Sequence, residues 1–63
     1  MANYIPKEDP YIFLSWLNMK LRDECKDLGQ LIERYNLSEK DIINKIDPIG
    51  YAYDKKINQF VTK

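Results

Sequence analysis

The sequence contains no histidine, one cysteine and two glycines. General acid–base catalysis near neutral pH most often uses histidine, so a serine or the cysteine lacks the usual activating base. One cysteine without histidine also falls short of the four ligands of a zinc site. The glycines form no phosphate-binding loop, and the carboxylates follow no calcium-loop spacing. We therefore expect no catalytic residues, no enzyme activity, no cofactor and no metal.

Net charge and long apolar runs are also lacking. Ten basic residues balance ten acidic ones, so no overall field draws the chain to nucleic acid or to an anionic membrane. The longest apolar run, residues 11–14, is far shorter than the roughly 20 residues of a membrane-spanning helix. Pro6 and three charges interrupt the N-terminus, where a signal peptide needs an apolar stretch. Cys25 has no partner for an internal disulfide, and the sequence therefore predicts a cytoplasmic protein.

Capping residues and apolar spacing predict three helices. The first begins at Pro10, a residue suited to the first helical position, and ends near residues 23–26. The second ends near Asn36, which tolerates the left-handed conformation, and the third stops before Pro48. The side chains that can accept hydrogen bonds from free N–H groups at the three helix starts are those of Asp9, Asp27 and Ser38.

Beyond Pro48, two aromatic segments flank a polar turn at residues 54–57, and this pattern predicts a β-hairpin. The predicted fold class is mainly α, three helices followed by a short C-terminal β-hairpin, with a winged-helix or helix-turn-helix cadence. We assign residues 1–8 to an N-terminal arm and residues 9–63 to a single helical domain with the hairpin. The predicted core consists of Leu14, Leu17, Leu21, Leu31, Ile32, Tyr35, Ile42, Ile46, Tyr51 and Phe60.

The first helix is apolar on two sides in a helical projection. One face consists of Leu14, Leu17 and Leu21, and the nearly opposite face of Ile12, Trp16 and Met19. Such a helix is normally central, so we expect the other two helices on the leucine face. The second face is covered either by the hairpin or by a second subunit. In the latter case it is a self-association surface, and the protein is a homodimer.

A polar stripe separates the two apolar faces. Polar side chains on a central helix must be satisfied internally or meet a ligand or partner. We expect internal satisfaction, with Asn58 and Gln59 paired to Asn18, and with Arg22 or Lys20 held by Asp54 or by hairpin carbonyls. The alternative is a peptide, nucleotide or partner site. The candidate structural or partner-binding set is Ser15, Asn18, Arg22, Asn58 and Gln59.

In residues 27–46 the apolar residues and the turn are spaced as in a helix-turn-helix. Lys55 and Lys56 lie at the tip of the predicted hairpin. In a DNA-binding version, the third helix would meet bases and phosphates. Residues 39–47 carry three acids against two lysines, a net charge of −1, which opposes a phosphate backbone. The leading interpretation is therefore a non-enzymatic module that binds another protein or itself. The alternative is a DNA-binding regulator of the winged-helix type.

Several short clusters also occur together along the chain: Asp9-Pro10, Leu14-Ser15, Asn18, Lys20-Leu21-Arg22-Asp23, Ile49-Gly50-Tyr51, Tyr53-Asp54 and Asn58-Gln59-Phe60. In combination, from Pro6 to Val61, the chain resembles a family of short bacterial proteins known only as a domain of unknown function. The resemblance implies a bacterial source and a free-standing small protein, and it brings no activity or cofactor. Cys25 stands where similar proteins are expected to have an aromatic residue, which argues against a redox role. The polar positions that the resemblance emphasises are Asn18, Arg22, Asp23, Asn58 and Gln59.

Overall fold

Three helices and a two-stranded antiparallel sheet make up residues 5–63, the part of the chain that the computed structural model describes. This arrangement confirms the predicted fold class, while the winged-helix likeness stays a prediction. In chain order the elements are α1 (Pro10–Asp23), α2 (Leu28–Tyr35), α3 (Glu39–Ile46), a 3-10 turn (Asp47–Ile49), β1 (Tyr51–Asp54) and β2 (Gln59–Thr62). Within residues 5–63, none of the helices has the length and apolar character needed to cross a bilayer.

The helix starts follow from the capping side chains. Asp9, Asp27 and Ser38 each accept a hydrogen bond from a backbone N–H two or three residues further on, as predicted. The Asp27 carboxylate, for example, lies 2.7 Å from the backbone nitrogen of Gln30. Each cap satisfies an N–H group that has no partner inside its helix, and this fixes where the helix begins.

The helix ends are equally local in origin. Asn36 adopts the predicted left-handed conformation, with φ 54° and ψ 50°, and ends α2. Pro48 lies in the 3-10 turn that follows α3, because its ring is incompatible with the interior of an α-helix. Gly50 then turns the chain into β1 at φ 84°, a value that favours glycine over residues with a side chain.

The core forms where α1 meets the other elements. Seven of the predicted core residues are buried, and Ile32, Tyr35 and Tyr51 are half-buried against them. Phe13, Cys25 and Leu28 are also buried, so the Cys25 thiol is a packing group. The confirmed residues are Leu14, Leu17, Leu21, Leu31, Ile42, Ile46 and Phe60.

The hairpin does not cover the second apolar face of α1, so the first of the two alternatives for that face was wrong. The Trp16 ring packs against α2 instead, with its centroid 5.0 Å from that of Tyr35. Ile12 and Met19 remain exposed, at 55% and 41%. The hairpin lies along the polar side of α1 because Asn18 bonds to the backbone of β2.

Leu17 has no exposed surface, and its replacement by alanine should leave a cavity at the centre of the core. We expect Leu17→Ala to lower the free energy of unfolding by about 2–5 kcal/mol, measured by urea denaturation. Met19→Ala, on the exposed side of the same helix, is the control and should change it by less than about 1 kcal/mol. Equal unfolding midpoints for the two variants would show that Leu17 is not central to the core.

Candidate functional site

Asn18 closes the outer edge of β2. Residues opposite each other in an antiparallel ladder alternate between hydrogen-bonded and non-bonded pairs. Since Lys63 N–H donates to the Gly50 carbonyl, Phe60 falls in a non-bonded pair, and its backbone groups point away from β1. The Asn18 side chain meets both of them: its Oδ1 accepts from Phe60 N–H at 2.7 Å, and its Nδ2 donates to the Phe60 carbonyl at 3.1 Å. One side-chain amide thus stands in for a neighbouring strand.

Asn58 ties the hairpin turn to the end of α1. Its left-handed backbone, with φ 56°, directs the chain from the turn into β2. Its Nδ2 donates to the carbonyl of Leu21 at 2.9 Å, in the last turn of α1, where carbonyls lack a partner inside the helix. It also donates to the carbonyl of Cys25 at 3.0 Å, just beyond the end of α1. Its Oδ1 accepts from the Tyr53 hydroxyl at 2.7 Å.

The same tyrosine links the hairpin to α2. The Tyr53 hydroxyl oxygen accepts a hydrogen bond from Leu28 N–H at 3.2 Å while it donates to Asn58. Leu28 is the first residue of α2, and its N–H has no partner inside the helix. The end of α1, the start of α2 and the hairpin are therefore joined by one chain of hydrogen bonds.

Gln59 completes this network. Its Nε2 donates to the backbone carbonyls of Asn18 at 3.1 Å and Asn58 at 2.9 Å. Among residues 5–63, no buried side-chain nitrogen or oxygen lacks a hydrogen-bond partner. The structure thus brings together Asn18, Asn58 and Gln59 of the predicted set and gives them structural contacts. Asn58 bonds to the carbonyls of Leu21 and Cys25 rather than to Asn18, so that detail of the expected pairing was wrong.

Ser15 and Arg22 lie outside the network and are exposed. Arg22 pairs with Asp23 at 3.1 Å, and Lys20 pairs with Glu24 at 3.0 Å. The expectation that either would hold Asp54 or a hairpin carbonyl was wrong, because each pairs with an acid on or beside its own helix.

A shallow, open groove of about 630 Å³ runs beside α1 and β2. It joins the two predicted sets: apolar Ile12, Trp16 and Met19, and polar Ser15, Asn18, Arg22 and Gln59, but not Asn58. The amides of Asn18 and Gln59 are already bonded to backbone. The groups in the groove that remain exposed to a partner are the Ser15 hydroxyl, the Arg22 guanidinium and the Ile12 and Met19 side chains.

A cluster beside this groove was missed from the sequence. The Lys20 ammonium lies 5.8 Å from the centroid of the Trp16 ring and 5.6 Å from that of Tyr35. The Glu24 carboxylate accepts from the Tyr35 hydroxyl at 2.6 Å and from Lys20 at 3.0 Å. The available signal was the spacing of Trp16, Lys20 and Glu24, each four residues from the next, which aligns side chains on one side of a helix.

The comparison with family profiles matches residues 7–60 to the domain of unknown function DUF4250. The chain belongs to the DUF4250 family. No curated protein and no solved structure matches it. The DUF4250 match covers α1 to α3, β1 and the start of β2, and therefore includes every residue of the hydrogen-bond network. The resemblance to a domain of unknown function is confirmed, while the bacterial source stays a prediction.

In this DUF4250 chain, Asn18→Ala should leave the Phe60 N–H and carbonyl without their partner. We expect the free energy of unfolding to fall by about 1–3 kcal/mol and the Phe60 amide to exchange faster with solvent. Ser15→Ala, one turn away and exposed, is the matched control and should stay within about 0.5 kcal/mol of the native chain. Unchanged Phe60 exchange in the Asn18 variant would contradict the assigned role.

The ion cluster predicts that the stability of this DUF4250 chain depends on pH. Hydrogen bonds from the Tyr35 hydroxyl and the Lys20 ammonium lower the pKa of Glu24 below its ordinary value of 4.5, and the same carboxylate raises the pKa of Tyr35. A depressed carboxyl pKa stabilises the fold above the unfolded-state pKa, and that contribution is lost as the pH falls through the folded-state pKa.

Glu24→Gln should therefore be less stable than the native chain at pH 7, and the difference should shrink as the pH falls below 4.5. Thermal unfolding across this range measures the effect. Glu33→Gln, which removes an exposed acid of α2 outside the cluster, is the control for the loss of one negative charge. A constant difference for Glu24→Gln from neutral to acid pH would contradict the assignment.

Proposed function

We propose that this DUF4250 chain is a non-enzymatic protein–protein interaction module that binds another protein, or a second copy of itself, through the exposed face of α1. The observation that carries the proposal is the position of Ile12 and Met19. The two residues are seven positions apart on one side of α1. Their exposed fractions are 55% and 41%, and both line the groove. Exposed apolar side chains beside a polar groove are typical of protein-binding surfaces.

The chemistry of the surrounding groups supports a protein partner. The side-chain amides of Asn18 and Gln59 already form hydrogen bonds to the chain's own backbone. The groove therefore presents few free polar groups to a small ligand. Arg22 and Ser15 lie on the same side of α1 as Met19 and offer donors at the rim. An apolar centre with a polar rim that includes arginine is the usual composition of a protein interface.

The size of this surface sets the kind of complex. A helix of 14 residues is about 20 Å long, and one face about 10 Å wide offers roughly 200 Å². A stable interface buries about 800 Å² on each partner. The exposed face of α1 alone therefore supports a weak, transient contact. A tighter complex has to extend beyond α1 to other residues that line the groove, such as Pro6 and Gln59.

The alternative, a winged-helix DNA-binding regulator, has no comparable support. Lys55 and Lys56 are exposed at the hairpin tip, but Glu39 and Asp41 are exposed in the first turn of α3. Lys63, a further positive charge, is paired with Asp47. These acids offset the attraction to phosphate that a DNA-binding surface requires. We place the module in the cytoplasm, in keeping with its single, buried cysteine thiol.

Photo-crosslinking from the exposed face of α1 tests the proposal. We expect Ser15→p-benzoylphenylalanine to give a crosslinked protein product, and Met19→Glu in the same chain to abolish it, because a charge on an apolar contact opposes burial. Sedimentation of the purified protein then shows whether the product is a dimer. Ile57→Glu is the control, since Ile57 is similarly exposed, at 57%, on the hairpin turn.

The proposal is contradicted if position 15 gives no protein product, or if Ile57→Glu abolishes the product as fully as Met19→Glu. A titration with random-sequence duplex DNA provides the competing readout. Binding tighter than about a micromolar at physiological salt would favour the regulator instead.

A further inference from the structure

The two edges of the hairpin are treated differently by the rest of the chain. The register that points the Phe60 backbone toward Asn18 also places Tyr51 and Tyr53 in non-bonded pairs, with Thr62 and Phe60. Their N–H and C=O groups therefore point away from β2, along the outer edge of β1. None of the hydrogen bonds within residues 5–63 engages these backbone groups. One edge is closed by a side-chain amide, and the other is open.

A second groove, of about 340 Å³, runs along this open edge. Three consecutive residues of β1, 51–53, line it, so it follows the edge of the strand rather than one face of the sheet. Across from the strand lies one side of α3, with Ile43 exposed at 49%. The buried side chains of Leu28 and Phe60 form its floor, and the carboxylates of Glu39 and Asp47 stand on its rim.

We propose that the outer edge of β1 binds an extended segment of a partner protein as a third strand, and that this segment alternates apolar and basic residues. The backbone of the segment pairs with the free N–H and C=O groups of Tyr51 and Tyr53. Its apolar side chains contact Ile43, and a lysine or arginine reaches Glu39. The inference rests on the proposed function only in taking a protein as the partner, because it uses neither Ile12 nor Met19.

Hydrogen-bonding capacity determines the conformation of this partner. Two N–H and two C=O groups spaced at every second residue match an extended backbone, which presents the same alternation. A helix satisfies its own backbone groups and has none to offer to the edge. Because β1 has only four residues, the paired part of the segment is equally short, and contacts with α3 must add to the binding.

Charge determines the sequence of the partner. Of the charged residues that line the groove, Glu39 and Asp47, both are acidic. Asp47 is already paired with Lys63, and Glu39 forms no ion pair within residues 5–63. A second copy paired edge to edge about a two-fold axis would bring its own Glu39 to the same groove, and the two Glu39 carboxylates would repel. The rim therefore favours a basic segment over self-pairing.

Titration of the ¹⁵N-labelled full chain with a synthetic peptide tests the proposal. The probe is a capped peptide of about seven residues, a typical strand length, that alternates valine and lysine. We expect it to shift the backbone amide signals of Tyr51 and Tyr53 and to slow their exchange with solvent, while the amide of Phe60 keeps its bond to Asn18. A peptide with glutamate in place of lysine should bind at least about tenfold more weakly.

Backbone methylation separates strand pairing from simple side-chain contact. Two versions of the probe are methylated at alternate nitrogens, one set on the valines and the other on the lysines. A strand pairs through the N–H groups of every second residue, so one version should lose binding and the other should keep it. Ile43→Lys should weaken binding of the unmethylated probe by about fivefold or more through like-charge repulsion, and Ile57→Lys should leave it unchanged. Both positions are exposed, so neither change disturbs the core.

The proposal is overturned if the Tyr51 and Tyr53 signals do not move at millimolar peptide, or if both methylated peptides bind as well as the parent. Equal losses for Ile43→Lys and Ile57→Lys would also overturn it. If the same signals move with protein concentration alone, the occupant is a second copy and not a basic segment. Met19→Glu should leave the titration unchanged, so failure here and failure of the α1 interface can be told apart.

Discussion

The pairing of the Asn18 amide with the backbone of Phe60 is the contact on which the rest of the structure depends. A two-stranded hairpin is at best marginally stable on its own in water, and β1 and β2 form the whole sheet in residues 5–63. The amide supplies both the donor and the acceptor of a missing strand, at 3.1 Å and 2.7 Å, from within a helix. Gln59 returns a bond to the Asn18 carbonyl, so helix and strand hold each other. The hairpin thereby acquires a fixed position against α1.

The position of the hairpin determines which sides of α1 are in contact with other elements. The polar side of α1 bonds to β2, and its leucine side packs in the core. Trp16 packs against Tyr35 of α2 and lies beside Lys20. Ile12 and Met19 are what remains, and no element of residues 5–63 buries them. The exposed face of α1 is therefore the part of its surface that the core, α2 and the hairpin do not use. An apolar residue at position 18 would favour burial against the sheet and leave the backbone of Phe60 without partners.

The sequence could predict whatever depends on neighbouring residues. The capping side chains, the left-handed Asn36 and most of the core follow from local chemistry and helical spacing, and each was recovered. Contacts between distant segments were harder to predict. Asn58 bonds to the Leu21 carbonyl, 37 positions away in the sequence, and no local sequence pattern indicates this contact. The groove was anticipated as two separate sets of residues because a projection of one helix cannot show that a strand brings them together. The open edge of β1 follows from strand register alone, which the composition of a short hairpin does not fix.

An open strand edge is ordinarily a hazard, since it offers pairing to any extended chain. Here the edge has only four residues, and α3 stands beside it with Glu39 and Asp47 on the rim of the groove. Glu39, which forms no ion pair within residues 5–63, attracts a basic segment and repels the Glu39 of a second copy. One residue therefore both favours a basic partner and limits self-pairing. Zero net charge for the whole chain conceals this local asymmetry. The distribution of charge around the hairpin, and not its sum, therefore sets which chains can approach each edge.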